Sequence, residues 1–198
     1  MVKTKIAVLV SGGGTNLQAL LDAQAAGKLP HGEIVLVVSN KADAYALTRA
    51  EQAGVNTAVI TGKDFEARLQ EVLRSAGIQM IVLAGFMKIL SGAFTSQWPD
   101  RILNIHPALI PSFCGEGYYG LKVHEEALRY GVKVTGATVH FVNEIPDGGK
   151  IIAQKAVEVL DGDTPEMLQR RVMEQAEWVL LPKAVEMVAE YHAATGKK

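Results

Sequence analysis

Apolar residues in the first half of the chain alternate between short continuous runs and patterns that repeat every three or four residues. Continuous runs of this length predict buried strands, and the spaced patterns predict helices with one apolar face. We predict strands at 6–10, 34–39, 55–60, 80–84 and 101–105, and helices at 15–26, 43–54 and 64–77. Repeated strand–helix units predict a parallel, doubly wound sheet with helices on both of its faces.

The second half of the chain follows a different pattern, in which apolar and polar residues alternate strictly. This alternation covers 132–142 and 151–159, and a turn sequence rich in proline and glycine, NEIPDGG, separates the two segments. Two such strands joined by a short turn predict an antiparallel extension of the parallel sheet. A long C-terminal helix begins with the cap and proline at Thr164-Pro165, and we expect Pro182 to break or kink it.

These elements together define the expected fold. The fold class is α/β: a Rossmann-like, mostly parallel twisted sheet flanked by helices, with an antiparallel C-terminal extension. The 198 residues contain no linker, internal repeat or low-complexity segment. We therefore expect a single domain over 1–198.

The charge balance narrows the classes of partner. The formal net charge is -1 and no basic stripe is present, which argues against nucleic-acid binding. No apolar run approaches the ~18 residues of a membrane span, and the N-terminal run is too short for a signal peptide. The single cysteine, Cys114, excludes an internal disulfide. We expect a soluble cytoplasmic protein without membrane or nucleic-acid partners, either a monomer or a homodimer.

A glycine turn links the first predicted strand to the first predicted helix. Its sequence is Ser11-Gly12-Gly13-Gly14, followed by Thr15-Asn16. The dinucleotide fingerprint needs a further spaced glycine and an acidic residue after the second strand, where this chain has Ser39-Asn40-Lys41. A Walker A loop is excluded as well, because no Lys-Ser or Lys-Thr pair follows the turn. Two interpretations stay equally open: a helix N-terminus that holds a single phosphate, or an ordinary turn capped by Thr15 or Asn16.

Three polar residues lie near the ends of later predicted strands, where open α/β sheets place their ligands. Asn104 and His106 are two positions apart on an extended segment, so that their side chains project to the same side. An amide can donate to an oxyanion, and an imidazole can move a proton near neutral pH. Asp147 could approach the imidazole from the last turn, and its charge would raise the pKa of His106. Taken singly, Asn104 and Asp147 could be ordinary turn residues, and a lone histidine at a strand end is a capped surface residue about twice as often as a functional one.

Five segments taken together resemble the phosphoribosylglycinamide formyltransferases, a branch of the folate-dependent formyltransferase family. The segments are SGGGTNLQAL, SNKADAYAL, LAGFMKIL, LNIHPALIPSF and GATVHFVNEIPDGGKII, and the resemblance runs from Ile6 to about Pro182. It implies transfer of the formyl group of the cosubstrate 10-formyltetrahydrofolate to the amine of 5'-phosphoribosylglycinamide in purine biosynthesis, without a metal. A formyltetrahydrofolate deformylase, or another formyltransferase of the same fold, is the alternative. Such relatives carry an additional domain, for which we expect no room in this chain.

The resemblance also assigns roles to individual residues. The family's catalytic asparagine, histidine and aspartate correspond to Asn104, His106 and Asp147. Its contacts with the ribonucleotide correspond to Gly14, Thr15, Asn16 and Glu177. Its folate pocket corresponds to Met87, Lys88, Ile89, Leu90, Asn104, Asn143, Glu144, Ile145 and Pro146.

Three features depart from the family pattern. Lys88 stands where many relatives have arginine, and lysine lacks the bidentate geometry of a guanidinium group. The segment after the third predicted strand is short, which leaves Arg68 as the candidate for a folate-contacting arginine. The loop over 114–120 contains Gly115, Gly117 and Gly120 and is followed by a helix. These glycines predict that the loop and the helix move over the site.

Three other classes of function compete with this interpretation. A cysteine hydrolase would use Cys114 as its nucleophile and His106 as its base. A metal hydrolase would need clustered ligands, but the histidines lack metal-binding spacing. They are His31, His106, His124, His140 and His192. A nucleotide-binding module without catalysis would leave the predicted catalytic set unexplained. For His140, which lies beside Thr138 on a predicted strand, we expect a structural or supporting role.

Overall fold

Seven strands form one sheet in a computed structural model of the protein, which describes residues 3–195. In chain order the strands are β1 (Thr4–Val10), β2 (Gly32–Ser39), β3 (Asn56–Val59), β4 (Met80–Leu83), β5 (Ile102–His106), β6 (Val134–Phe141) and β7 (Ile151–Glu158). The order across the sheet is β3-β2-β1-β4-β5-β6-β7. Strands β1 to β5 run parallel, and β6 and β7 pair antiparallel beside them, so the predicted fold class is confirmed.

Helices cover both faces of this sheet. They are α1 (Thr15–Ala25), α2 (Tyr45–Gln52), α3 (Phe65–Ser75), α4 (Gly92–Thr95), α5 (Leu121–Tyr130), α6 (Pro165–Val172) and α7 (Trp178–Thr195). Side chains of β1 alternate between two apolar cores, one shared with α1, α6 and α7 and the other with α3 and α4. A strand buried on both faces is apolar at every position, which explains the continuous run at the start of the chain. No helix within residues 3–195 is both long and apolar enough to cross a membrane.

The start of α2 differs from the prediction, which placed the cap at Asp43. The helix begins at Tyr45, and Ala44 is its N-cap residue without a side-chain cap. The backbone N–H of Ala46 donates instead to the carbonyl of Gly12, at 3.0 Å. The glycine turn therefore satisfies part of the first turn of α2, because orphan N–H groups at a helix start need an acceptor.

The C-terminal helix is interrupted, but not where proline predicts. A π-helical turn covers Met173–Glu177 between α6 and α7, and α7 continues through Pro182. Proline lacks an N–H and crowds the carbonyl four residues before it, which is Trp178 at the very start of α7. The irregular hydrogen bonding thus lies on the N-terminal side of the proline, and the expected break at Pro182 itself is wrong. Single π-helical turns of this kind occur frequently at functional sites.

The strand order reverses between β1 and β4, since β2 and β3 lie on one side of β1 and later strands on the other. Open α/β sheets bind ligands in the crevice at such a switch point, beyond the carboxyl ends of the strands. The loops that follow β1, β4 and β5 meet at this edge, and the turn between β6 and β7 reaches the same edge. The fold therefore gathers all of the predicted site segments.

Candidate active site

The glycine turn after β1 leads into α1 without a side-chain cap. Gly14 is the N-cap residue with φ of 73°. Thr15 and Asn16 are the first helical residues, so the cap expected at one of them is wrong. Uncapped N–H groups at a helix N-terminus, together with the helix dipole, favour an anion such as a phosphate.

Close packing makes glycine necessary at position 14. A Cβ atom on Gly14 would lie 2.6 Å from the Cβ of Ala46. We expect Gly14→Ala to lower the free energy of unfolding by about 2 kcal/mol, because positive φ and overpacking each cost about 1–3 kcal/mol. Denaturant unfolding measures this change. The matched control is Gly12→Ala, where a Cβ atom would meet nothing within 4 Å, so a similar loss for both variants would contradict the packing argument.

Ser11 connects the glycine turn to the segment after β4. Its hydroxyl donates to Asn40 Oδ1 at 2.6 Å and accepts from the backbone N–H of Met87 at 2.8 Å. The side chain is almost completely buried. This serine therefore fixes the distance between the predicted phosphate loop and the predicted folate segment.

Glu177, at the end of the π-helical turn, meets the start of α1. Its Oε2 atom accepts from Asn16 Nδ2 at 2.6 Å, and its side chain is only 6% exposed. Burial raises the pKa of the Glu177 carboxyl, and the hydrogen bond from Asn16 lowers it by less. The structure thus brings together the two side chains that the resemblance assigned to the ribonucleotide.

Asn104, His106 and Asp147 meet at the carboxyl end of β5. Asn104 Nδ2 lies 3.4 Å from Asp147 Oδ1, and His106 Nδ1 lies 3.5 Å from Asp147 Oδ2. Asp147 occupies the turn between β6 and β7 with φ of 55°, a conformation that residues other than glycine rarely adopt. The backbone N–H of Gly115 donates to Asp147 Oδ2 at 2.8 Å and holds the carboxylate in place.

The pKa of His106 is lowered from its usual value, in contrast to the prediction. Burial is the largest cause, and it outweighs the raising effects of Asp147 and of the Phe113 carbonyl. The expected rise in the pKa of His106 was wrong. The sequence indicates the charge of Asp147, but it does not indicate that His106 is buried, with only 3% of its surface exposed. His106 Nε2 donates to the Phe113 carbonyl oxygen at 2.8 Å, which identifies the protonated nitrogen of the neutral ring.

His140 belongs to the same cluster. It lies directly opposite Asn104 in the antiparallel pairing of β5 and β6. Its Nδ1 donates to the Phe141 carbonyl at 2.8 Å, so that Nε2 is free to accept from Asn104 Nδ2 at 3.1 Å. Burial raises the pKa of the Asp147 carboxyl, but the contacts of the carboxylate with His140, His106 and the backbone N–H of Gly115 together outweigh it, so the pKa is lowered. The predicted supporting role of His140 therefore has a definite form: it orients the Asn104 amide.

A cavity of about 680 Å³ joins these groups. Its lining includes the predicted catalytic residues Asn104, His106 and Asp147. It also includes Asn16, Gln169 and Glu177, and the residues Met87, Lys88, Ile89 and Pro146. Thr15 faces a separate groove of about 870 Å³ between α1 and α7, which contains none of the predicted catalytic residues.

The formyl transferase family model matches residues 4–185 of this chain. The chain belongs to the formyl transferase family. A phosphoribosylglycinamide formyltransferase from Haemophilus influenzae is 43% identical over 192 residues, which are 94% of this chain and 87% of that protein. A trifunctional purine biosynthetic protein from Gallus gallus is 47% identical over 98% of this chain, and this chain spans only 19% of that protein's length.

Solved structures agree with the family assignment. A glycinamide ribonucleotide transformylase from Symbiobacterium toebii has a TM-score of 0.88 at 43% identity, and the match covers 96% of this chain and 89% of that chain. A formyltetrahydrofolate deformylase from Pseudomonas syringae has a TM-score of 0.85 at 26% identity, covering 96% of this chain and 62% of that chain. The formyl transferase fold is therefore shared by both classes, and the sequence is more similar to the transferase.

Four of the residues that the resemblance assigned to the folate pocket lie elsewhere than the cavity wall. Leu90 is 5% exposed and packs in the apolar core with α3 and α4. Asn143, Glu144 and Ile145 are absent from the residues that line the cavity. Asn143 Oδ1 accepts from the backbone N–H of Ile145 at 2.9 Å, so that this amide shapes the turn before Asp147.

The departures from the family pattern also have structural outcomes. Lys88 is exposed at the cavity and its Nζ lies 5.1 Å from the centre of the Phe65 ring, a cation–π contact. Arg68 donates to the Thr61 carbonyl at 3.1 Å and does not line the cavity. Among the described residues that line the cavity, Lys88 carries the lysine or arginine charge.

The loop after β5 does not support a cysteine hydrolase. Cys114 Sγ donates to the Pro111 carbonyl at 3.3 Å, and His106 Nε2 is bonded to Phe113. Burial and the charge of Asp147 both raise the pKa of the Cys114 thiol, whereas a cysteine nucleophile requires a lowered pKa. Within residues 3–195, no group of three or more histidine, cysteine, aspartate or glutamate side chains is placed to hold a metal ion.

Proposed function

We propose that the protein transfers the formyl group of 10-formyltetrahydrofolate to the amine of 5'-phosphoribosylglycinamide, as the names of its relatives indicate. The observation that carries the proposal is the single cavity, which runs from Asn16 and Glu177 to the cluster of Asn104, His106 and Asp147. A phosphate at the open N-terminus of α1 places the attached ribose along Glu177. The amine of the glycinamide then reaches the catalytic cluster, and the folate occupies the end lined by Met87 and Lys88.

The chemical step begins with attack of the amine on the formyl carbon, which produces a tetrahedral oxyanion. Asn104 donates to this oxygen through the N–H that points toward Asp147. Its Nδ2 atom lies 3.4 Å from Asp147 Oδ1, which is too long for a strong competing hydrogen bond. The other N–H is held by His140 at 3.1 Å. An amide fixed in this way stabilises developing charge without reorganisation at the moment of reaction.

Proton transfer is assigned to His106. Burial keeps its ring neutral at the start, so that it accepts the proton released by the attacking amine. Asp147 stabilises the imidazolium that forms, because its carboxylate lies 3.5 Å from His106 Nδ1. The imidazolium then returns the proton to the departing folate nitrogen. The balance is complete: a carbon–nitrogen bond forms to the ribonucleotide and one breaks to the folate.

This assignment predicts the pH dependence of kcat/KM. His106 must be neutral, so activity should decline as pH falls through its lowered pKa, with a midpoint below the ordinary value of 6.5. Asp147→Asn removes a contribution that raises this pKa and should move the midpoint to still lower pH. The profile of the residual activity measures the shift. A midpoint that moves upward in Asp147→Asn would show that another group titrates.

A deformylase is the second candidate, supported by the shared fold at 26% identity. It would release formate from the same folate by attack of water. Mixing the protein with 10-formyltetrahydrofolate and following folate release by absorbance separates the two activities. We expect release only when 5'-phosphoribosylglycinamide is present. Release at the same rate without the ribonucleotide would assign the deformylase reaction, and no release in either case would contradict the folate assignment.

The remaining expectations accompany this proposal. We propose one catalytic domain, acting in the cytoplasm on small molecules and without a bound metal. The formal net charge of -1 and the single cysteine support this setting. Chelator treatment that left turnover unchanged would be the expected result.

A further inference from the structure

His124 is a buried polar side chain that the proposed chemistry does not use. It lies in the first turns of α5 with 0% of its surface exposed. Neither Nδ1 nor Nε2 has a hydrogen-bond partner among the described residues. Buried polar atoms are nearly always bonded in native proteins, so a ring with two unpaired nitrogens indicates a partner that binds in the functional state.

The ring also has a defined charge state. Burial lowers the pKa of His124 to about 4, and His106 adds to the effect when it is protonated. A neutral imidazole has one N–H donor and one acceptor nitrogen. A hydroxyl or an amide, which both donates and accepts, matches the two unpaired nitrogens better than a phosphate or a carboxylate, which only accepts.

His124 lies near the residues that the resemblance assigned to the ribonucleotide. His124 lines the same cavity as Asn16, Glu177 and His106. Helix α5 packs against α6, which continues directly into the π-helical turn that ends at Glu177. His124 is therefore carried by a helix that packs beside the segment of Glu177.

We propose that His124 binds the formyl acceptor, through hydrogen bonds between its neutral ring and a sugar hydroxyl or the amide of the glycinamide. This assignment rests on the proposed function, because it takes the ribonucleotide as the acceptor. Asn16 Oδ1 is another buried atom without a partner among the described residues, and Asn16 lines the same cavity. The uncharged part of the acceptor, between the phosphate and the reacting amine, supplies the partners of these buried atoms.

The test compares His124→Leu with His124→Gln by calorimetric titration with 5'-phosphoribosylglycinamide. Leucine fills similar space without polar atoms, and glutamine keeps a donor and an acceptor. We expect His124→Leu to weaken ribonucleotide binding about 10-fold, His124→Gln to weaken it less, and the KM for the folate to stay unchanged. The control is Glu125→Gln, on the exposed side of the same helix, which should bind as the parent protein does.

Thermal unfolding completes the test. His124→Leu should unfold at the same temperature as the parent or higher, since it removes unpaired buried nitrogens. Loss of folding in this variant, or ribonucleotide binding equal to that of the parent, would contradict the assignment to His124. Failure of the parent protein itself to bind the ribonucleotide would instead contradict the proposed function and the inference together.

Discussion

Replacing Asp147 with asparagine is expected to lower kcat by about 10³-fold at saturating concentrations of both substrates, within the range typical of proton-transfer groups. The aspartate is the one negative charge that faces both His106 Nδ1, at 3.5 Å, and His140 Nε2, at 3.4 Å, among the residues described. Asparagine has the same shape and still accepts from the N–H of Gly115. It cannot stabilise the imidazolium, however, so the loss should appear in kcat and not in the folded structure.

Asp161→Asn is the matched control, because Asp161 is fully exposed and pairs only with Lys133 at 3.5 Å. This variant should retain the activity of the parent protein. Steady-state kinetics and a thermal unfolding curve on both variants make the comparison. If Asp147→Asn kept kcat within 10-fold of the parent, the carboxylate would have no essential part in proton transfer.

Replacing Asn104 with alanine is expected to lower kcat by about 10²–10³-fold, the usual cost of losing one donor to an oxyanion. The amide is placed between His140 Nε2 and Asp147 Oδ1, and alanine removes both contacts. Because the donor acts mainly on the tetrahedral intermediate, KM for both substrates should change much less than kcat.

Asn56→Ala provides the control for this variant, since Asn56 is exposed on the edge strand β3 and far along the sheet from β5. Its turnover should be unchanged. Equal effects of Asn104→Ala on KM and kcat/KM, with kcat preserved, would assign Asn104 to substrate binding and not to the oxyanion.

Local sequence patterns were sufficient to predict most of the fold. Continuous apolar runs identified β1, β2, β4 and β5, whose side chains lie mostly in the two apolar cores, whereas β3 is a partly exposed edge strand. Strict alternation identified β6 and β7, which form the antiparallel end of the sheet. The ends of helices were less predictable. The first turn of α2 is bonded to Gly12 of a distant turn, and a π-helical turn at Met173–Glu177 precedes the helix that contains Pro182.

The catalytic set was predictable from strand ends, but its electrostatics were not. Asn104 and His106 share one side of β5 because side chains alternate along a strand. The sign of the His106 pKa shift depends on burial, which is set by the loop after β5 and by the Phe113 carbonyl. Contacts between loops have no periodic pattern in the sequence, so neither the burial nor that hydrogen bond could be predicted.

The residues proposed to bind folate were only partly predictable for the same reason. Met87, Lys88, Ile89 and Pro146 line the cavity as the resemblance implied. Leu90 turns into the core instead, because the segment after β4 leaves the cavity edge to begin α4 at Gly92. A motif identifies a segment, whereas the direction of each side chain within a loop depends on packing against distant elements.

The most direct test of the account follows the formyl group itself. The protein is mixed with 10-formyltetrahydrofolate that carries an isotopic label in the formyl carbon, together with 5'-phosphoribosylglycinamide, and the products are separated and their label counted. We expect the label to appear in the formylated ribonucleotide, in an amount equal to that of the tetrahydrofolate released. Label recovered as free formate, with the ribonucleotide unmodified, would contradict it.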